Sequence, residues 1–282
     1  IRRQRQMCIR DRAHDADVSQ CNGATSKWYL GYAYRAYTTK LFVRISKILG
    51  AEDSELADYE AKIEETKKRI YNDYYENGML TQTGLVIALT FGLCPQGTEK
   101  AHAEKLVQMI HDNDDKLTTG FLGTPYLLHV LTDYGYPELA YTLLFQDKMP
   151  SWLFSVDHGA TTMWEHWDGV RDDGTMWSES MNSFNHYAYG AVGDWLYGAA
   201  AGIDTDEEHP GFEHVIFRPV VTDRLSYLKA SVKTKYGTVS SEWRQINGKT
   251  EYTFTVPAGI SATVYLNGEA YELAGGAHTL TV

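Results

Sequence analysis

The chain has 282 residues, of which 43% are hydrophobic and 22% charged, and its formal net charge is -11 at pH 7. This length is enough for one large domain or two ordinary ones, each with a buried core. The acidic balance argues against nucleic acid as a partner, and no apolar run has the roughly 20 residues of a membrane span, so neither a nucleic acid nor a membrane is expected to bind.

The first twelve residues contain five arginines and one aspartate, without helical or strand periodicity. One interpretation is a basic arm for anionic partners. The other is that residues 1–12 are not native, since they resemble the translated adapter sequence that contaminates assembled metagenomic genes. We favour the second interpretation. It implies that the gene continues upstream, so that a leader peptide could not be seen in this chain even if the gene encodes one, and the localisation, cytoplasmic or secreted, is left open.

The three cysteines, Cys8, Cys21 and Cys94, are an odd number without the spacing of metal ligands. They predict free thiols and no disulfide framework. No ordered ligand cluster is formed by the histidines either, namely His102, His111, His129, His158 and His166. We therefore expect no catalytic metal, and we also expect no cofactor.

The longer, N-terminal part of the chain shows helical periodicity. Helices are predicted near 29–48, 53–75, 81–93, 98–113, 122–133, 136–147 and 183–200. A succession of helices with short connections is typical of an α/α barrel, but seven helices are too few to close a ring of six hairpins. We therefore assign residues 13–209 to the C-terminal part of such a domain.

The last predicted helix, 183–200, is rich in small residues. Gly190 and Gly193 each weaken a free helix by about 1 kcal/mol relative to alanine. We therefore expect another backbone to pack closely against them.

The loop before that helix contains the segment G-A-T-T-M-W-E-H-W-D-G, in which Glu165 lies between Trp164 and Trp167. Tryptophan faces bind the apolar faces of sugar rings, and a carboxylate held among them can act on a glycosidic bond or activate water. Residues 148–182 have no clean period, as is common in functional loops. Glu165 is the predicted catalytic residue, and the alternative is an ordinary surface glutamate.

Five further residues are candidate sugar ligands, each with a structural alternative. Trp164 and Trp167 either stack on a sugar or wedge their loop against the barrel. Asp168 either orients a neighbour, binds a hydroxyl or belongs to a turn before Gly169. His186 is a candidate donor to a sugar hydroxyl, although a lone histidine in a helix is more often structural. Trp152 is predicted to lie at the rim of the site.

Three other aromatic residues are assigned mainly structural roles. Phe121 and Tyr126 are expected to pack the barrel wall, with contact to the leaving group as the weaker alternative. Trp177 is expected to anchor its loop rather than to form a platform for the acceptor.

After Pro210-Gly211 the pattern changes to period-2 segments separated by turn signals. The turns are predicted at Tyr236-Gly237, Asn247-Gly248, Pro257-Ala258-Gly259, Asn267-Gly268 and Gly275-Gly276. In one predicted strand, Tyr252, Phe254 and Val256 share a face. Such evenly spaced hairpins indicate an antiparallel β-sandwich over residues 210–282.

Together these segments resemble the bacterial α-L-rhamnosidase family of six-hairpin glycosidases. Besides the segment around Glu165, the resemblance is carried by T-Q-T-G-L-V-I-A-L-T-F-G-L (81–93), L-T-T-G-F-L-G-T-P-Y-L-L (117–128), the 181–197 run and P-G-F-E-H-V-I-F-R-P (210–219). It implies an α+β multidomain fold, namely a partial (α/α)6 toroid followed by a C-terminal antiparallel β-sandwich.

The resemblance also implies inverting hydrolysis of terminal α-L-rhamnose, with a rhamnose-containing oligosaccharide or glycoside as the partner. Glu165 matches the family's general base, and His186 matches a sugar-binding histidine. The family's general acid lies in an earlier motif that ends in W-x-G-D, and this chain has no such segment. Because inverting hydrolysis needs two carboxyl groups, we expect these 282 residues alone to be inactive.

Two other functions stay open at this point. One is a carbohydrate-binding protein that uses its aromatic residues without hydrolysis, and the other is a different glycosidase or phosphorylase on the same fold. The carboxylate between two tryptophans favours an enzyme over a pure binding protein. The fold alone does not separate the enzymes that share it.

Overall fold

The computed structural model describes residues 24–78, 80–179 and 182–282. The chain divides into two compact units, Ile1–Gly190 and Ala191–Val282. The segment predicted to be non-native, 1–12, lies outside the described residues, as do Cys8 and Cys21. Within the described part of the chain, no helix is both long enough and apolar enough to cross a membrane.

Consecutive helices of the first unit pack in pairs. The three hairpins are α1 (Lys27–Ile48) with α2 (Asp53–Ile70), α3 (Gln82–Phe91) with α4 (Glu99–His111), and α5 (Thr124–Asp133) with α6 (Pro137–Leu144). The first helices of the hairpins also contact one another in order, α1 to α3 and α3 to α5. They form one row of helices, as in an α/α barrel. A π-helical turn, Tyr71–Tyr75, extends α2, and the short helix α7 (Trp152–Asp157) follows the hairpins.

Helix α3 is the middle member of that row, and every residue from Gln82 to Leu89 is buried. A helix that is apolar on all sides has to lie inside a domain. Both ends of the helix are capped by neighbouring residues. At the N-terminus the Thr81 hydroxyl accepts a hydrogen bond of 3.0 Å from the Gly84 N–H, and at the C-terminus Gly92 ends the helix with a φ of +62°. A threonine cap and a left-handed glycine are favourable helix boundaries.

The predicted helix over 183–200 is broken into short pieces. These are a 3₁₀ turn, Ala188–Ala191, the short helix α8 (Val192–Trp195) and a π-helical turn, Leu196–Ala200. The prediction that another backbone packs closely against Gly190 and Gly193 is wrong. Among the described residues, a Cβ atom at Gly190 would meet only the Met163 side chain, at 3.7 Å, and one at Gly193 would meet nothing within 4 Å.

Two four-stranded sheets form the second unit. One sheet has the order β1 (Ile203–Thr205), β2 (His214–Phe217), β6 (Ser261–Leu266) and β7 (Glu269–Leu273), and the other has β3 (Tyr227–Thr234), β4 (Gly237–Ile246), β5 (Lys249–Val256) and β8 (Gly276–Thr281). Neighbouring strands are antiparallel except β2 and β6, which are parallel. The sandwich is therefore antiparallel apart from this one pair.

The faces of the sheets follow the predicted alternation. Tyr252, Phe254 and Val256 of β5 are buried together with Phe217 of the facing sheet and Trp243 of β4, which confirms the predicted inward face. The turns after β4 and β6 each consist of an asparagine and a glycine with positive φ. This geometry matches the right-handed twist of two-residue hairpins.

Candidate functional site

Two segments of the first unit lie side by side and bring the candidate site together. The Glu165 N–H donates to the Ser183 carbonyl at 2.8 Å, and the His186 N–H donates to the Met163 carbonyl at 2.8 Å. We call these paired segments the site ladder, which consists of residues 162–165 and 183–186. The ladder fixes the backbones of Glu165 and His186 relative to each other, although 20 residues separate the two in the sequence.

The carboxylate of Glu165 is held through one of its two oxygens. The Ser183 N–H donates to Glu165 Oε2 at 3.0 Å, and no described residue donates a hydrogen bond to Oε1. The side chain is half-buried. A carboxylate that is oriented by one oxygen and open at the other can accept a proton from water, which is the chemistry of a general base.

His186 is held by a hydrogen bond to one ring nitrogen and by a stacked aromatic ring. Its Nδ1 accepts a hydrogen bond of 3.3 Å from the Ala188 N–H, so the neutral imidazole carries its proton on Nε2. One face stacks on Phe121, with ring centroids 4.9 Å apart and an angle of 22°. The half-buried ring is therefore arranged as a hydrogen-bond donor through Nε2.

The three tryptophans predicted to bind sugar lie in the interior. Trp164, Trp167 and Trp152 are only 5%, 2% and 7% exposed. Trp167 stacks on Tyr189 at 3.7 Å and meets the edge of Trp152 at 5.3 Å, while Trp164 packs edge-on against Phe184. A ring covered by protein offers little surface to a sugar. The placement therefore favours anchoring for Trp164 and Trp167 and argues against a rim position for Trp152.

Asp168 is also buried, and its role is explained by the loop itself. Its Oδ2 lies 3.6 Å from Arg171 Nε. The next carbonyl, that of Gly169, accepts hydrogen bonds from the Asn182 amide at 2.8 Å and from the Trp177 N–H at 3.2 Å. The contact with Arg171 favours a role of Asp168 within its own loop over the binding of a hydroxyl.

The expected anchor, Trp177, also packs inside this loop. Its indole stacks on His166 with centroids 3.7 Å apart and an angle of 12°. Residues 170–176 form a small hairpin between these anchors, with a bridge between Val170 and Met176. Loop anchoring is therefore the role that the geometry favours for Trp177.

Replacing Gly169 by alanine is expected to destabilise the site loop. The new Cβ atom would lie 2.9 Å from Trp164 Cε3, and because the indole is buried it cannot move freely. Overpacking of this kind costs about 1–3 kcal/mol. The check is the urea midpoint. Gly31→Ala is the matched control, because a Cβ atom at Gly31, in the N-terminal part of α1, meets nothing within 4 Å. An equal midpoint for both variants would contradict the argument.

The described residues contain no group of three or more His, Cys, Asp or Glu side chains that is arranged to hold a metal ion. Cys94 is a free thiol. Burial raises the pKa of this thiol to about 11, so that it stays protonated near neutral pH and is a poor nucleophile.

A groove of about 690 Å³ lies between α1 and α2, away from the site ladder. Both glutamates of its lining are paired with lysines: Glu60 Oε1 lies 2.9 Å from Lys47 Nζ, and Glu64 Oε1 lies 2.9 Å from Lys67 Nζ. Exposed ion pairs of this kind contribute little free energy. The groove therefore presents no carboxylate comparable to Glu165.

Sequence reasoning did not find two of the groups that form this site. The Ser183 N–H belongs to the main chain, so the residue type at this position does not predict its contact with Glu165. Phe121 was expected to pack the barrel wall, and its contact with His186 joins loops 65 residues apart in the sequence. Neither the spacing nor the composition of the chain carries a signal for such a contact.

The helical hairpins and the site ladder lie within a six-hairpin glycosidase domain. Residues 7–200 match the family model described as the bacterial alpha-L-rhamnosidase 6 hairpin glycosidase domain. Residues 202–281 match the model of the bacterial alpha-L-rhamnosidase C-terminal domain. The chain belongs to the bacterial α-L-rhamnosidase family.

Curated relatives of the chain are also α-L-rhamnosidases. The chain is 38% identical over 244 residues to an alpha-L-rhamnosidase of Streptomyces avermitilis, covering 86% of this chain and 23% of the relative. It is 35% identical over 247 residues to one of Formosa agariphila, covering 86% of this chain and 26% of the relative. The chain thus spans about a quarter of the length of these relatives.

Solved structures agree with the fold. The Streptomyces avermitilis alpha-L-rhamnosidase complexed with L-rhamnose matches with a TM-score of 0.85 and 34% identity, over 96% of this chain and 28% of that one. The native enzyme of Aspergillus terreus matches with a TM-score of 0.86 and 32% identity, over 94% and 32% of the two chains. The predicted fold, a partial (α/α)6 toroid followed by a β-sandwich, is confirmed. The predicted boundary between residues 209 and 210 stays a prediction.

Proposed function

We propose that this chain holds the general base of an α-L-rhamnosidase, and that the complete gene product removes terminal α-L-rhamnose from oligosaccharides or glycosides with inversion. The observation that carries this proposal is the position and hydrogen bonding of the Glu165 side chain. Its half-buried carboxylate is fixed through one oxygen by the site ladder, within a domain of the six-hairpin glycosidase family.

Inverting hydrolysis assigns a definite task to this carboxylate. Glu165 removes a proton from water, and the water oxygen attacks the anomeric carbon on the face opposite the departing group. The Ser183 N–H on Oε2 leaves Oε1 to accept that proton. His186 donates its Nε2 proton as a hydrogen bond to a hydroxyl of the sugar, and the tautomer set by Ala188 suits this role.

A second carboxyl group has to protonate the departing oxygen, at roughly 6.5–9.5 Å from the base. The general-acid motif expected from the family resemblance is not found in these 282 residues. Hydrolysis is therefore expected from the complete gene product and not from this chain alone.

The buried tryptophans bear on the alternative of a carbohydrate-binding protein without hydrolysis. Such a protein binds sugars with exposed aromatic faces, whereas Trp152, Trp164 and Trp167 are all buried. The half-exposed polar pair, Glu165 and His186, fits an enzyme better.

A panel of aryl glycosides tests the proposal. The complete gene product is expected to cleave the α-L-rhamnoside in preference to α-L-fucosides and β-D-glucuronides. Proton NMR of the first product is expected to show the β-anomer of rhamnose, because inversion converts the α-linkage. A preference for another glycoside would contradict the substrate assignment, and first release of the α-anomer would contradict the mechanism.

A further inference from the structure

We propose that Phe121 is the positioning residue of His186: it holds the imidazole in the plane from which Nε2 reaches the substrate hydroxyl. This inference rests on the proposed function, because it concerns how the sugar-binding histidine is presented.

Two contacts fix the two rotations of the imidazole ring. The hydrogen bond from the Ala188 N–H to Nδ1, at 3.3 Å, fixes the direction of the ring edge. The stack on Phe121, with centroids 4.9 Å apart and an angle of 22°, fixes the tilt of the ring plane. Both are needed to direct Nε2, because a hydrogen bond to one nitrogen alone still allows the ring to rock.

A second ring beside the imidazole supports it more weakly. Tyr187 lies nearly parallel to His186, with centroids 5.4 Å apart and an angle of 15°. Its side chain is 86% exposed, so that solvent competes with the contact and the phenol keeps its rotational freedom. Phe121 is half-buried and also contacts the buried ring of Tyr189, at 5.1 Å. The constraint on His186 therefore comes from Phe121.

The loop that carries Phe121 is itself attached to the buried helix α3. The Gln82 side chain is buried, and its Oε1 accepts a hydrogen bond of 2.7 Å from the Thr118 N–H. The same amide donates through Nε2 to the Lys116 and Met109 carbonyls, at 3.3 Å each. A buried amide with both ends satisfied is a rigid attachment.

The second half of the loop is closed just as tightly. The hydroxyls of Thr119 and Thr124 lie 2.8 Å apart, and the Gly123 N–H donates to the Gly120 carbonyl at 3.1 Å. The backbone of Gly123 approaches α3 so closely that an added Cβ atom would lie 2.9 Å from Thr83 Oγ1. Phe121 therefore extends from a fixed support.

Kinetics of the complete gene product test the role. Phe121→Leu removes the flat ring but keeps an apolar side chain, and we expect kcat/KM for the aryl rhamnoside to fall about tenfold, mainly through a higher KM. Phe121→Tyr restores a flat ring and is expected to stay within about twofold of the wild type. Phe145→Leu is the matched control, because Phe145 stacks on Tyr141 of α6, outside the site.

The double variant separates positioning from a general loss of structure. In a His186→Ala background, Phe121→Leu is expected to cause no further loss, since the ring that it positions is absent. Nitrogen-15 NMR of the imidazole is expected to show a single Nε2–H form in the wild type. In Phe121→Leu we expect a mixture of tautomers, because a ring that rocks breaks the hydrogen bond from the Ala188 N–H that selects this form. Equal losses in both backgrounds, an impaired Phe121→Tyr variant, or an unchanged Phe121→Leu variant would each overturn the inference.

These outcomes are distinct from a failure of the proposed function. If His186→Ala and Glu165→Gln both leave rhamnoside hydrolysis unchanged, the site is misassigned and the inference falls with it. If both variants lose activity, but Phe121→Leu lowers kcat/KM equally with and without His186, only the role of Phe121 is refuted.

Discussion

Glu165→Gln is expected to lower the turnover of an aryl α-L-rhamnoside by about a hundredfold to ten-thousandfold, the range that a general base contributes. The amide cannot take a proton from water, so the nucleophile is no longer activated. Rhamnose affinity is expected to change little, because the uncharged side chain keeps the shape of the carboxylate. The measurements are steady-state kinetics on the complete gene product and calorimetric titration with rhamnose.

The structure explains why this variant should fold. The amide oxygen of glutamine can still accept the hydrogen bond from the Ser183 N–H that Glu165 Oε2 accepts. The main-chain bonds of the site ladder do not involve the side chain at all. Glu104→Gln provides the control, because Glu104 is an exposed residue of α4, and we expect it to keep full turnover. Retained turnover in Glu165→Gln would show that another group is the base.

Gly202→Ala is expected to have the largest effect on stability. Gly202 precedes β1 with a φ of +69°, and a Cβ atom there would lie 2.1 Å from the Pro219 backbone nitrogen. No side-chain rotation relieves an overlap with main-chain atoms. The strained φ and the displaced backbone together are expected to cost about 4 kcal/mol. The urea midpoint and amide hydrogen exchange in β4 and β5 measure the loss.

Gly211→Ala separates the cost of the positive φ from the cost of the overlap with the Pro219 backbone. Gly211 has a similar φ of +77°, but a Cβ atom there would meet nothing within 4 Å. It therefore carries only the cost of the left-handed backbone, about 1–2 kcal/mol. If the two variants unfold at the same urea concentration, the close approach of Pro219 to Gly202 does not contribute to stability.

Local periodicity was enough to predict most of the fold. The inward face of β5, Tyr252, Phe254 and Val256, follows from alternation alone, because side chains of a strand point to opposite faces in turn. Helices α3, α4 and α5 likewise lie within the predicted ranges. Strand direction is different: nothing in the residues of β2 and β6 encodes their parallel pairing, since it depends on how the connecting chain crosses the sandwich.

The 183–200 region shows why one local prediction failed. Its small residues suggested one helix packed against a neighbouring backbone. Instead, the site ladder draws the residues before Ala188 into backbone bonds with Met163 and Glu165, which are incompatible with helical bonds from the same groups. A non-local pairing therefore overrode the local pattern.

The candidate site was predictable only in part. Glu165 stood out because its two neighbouring tryptophans and the family resemblance pointed to the same residue. The roles of Trp152, Trp164 and Trp167 were harder to predict, because a tryptophan that anchors a catalytic loop and one that binds a sugar look alike in a sequence. Their burial makes the distinction, and burial is a property of the folded chain.

The site ladder also has a consequence for how this family can diversify. The chain leaves the ladder after Glu165 and returns to it at Ser183, so the intervening stretch starts and finishes at one place. Its tip, residues 171–175, is exposed, and doubling the length of a flexible loop costs only about 0.6 kcal/mol. Insertions and exchanges can therefore accumulate at this tip over evolutionary time, while Glu165 and His186 keep their geometry.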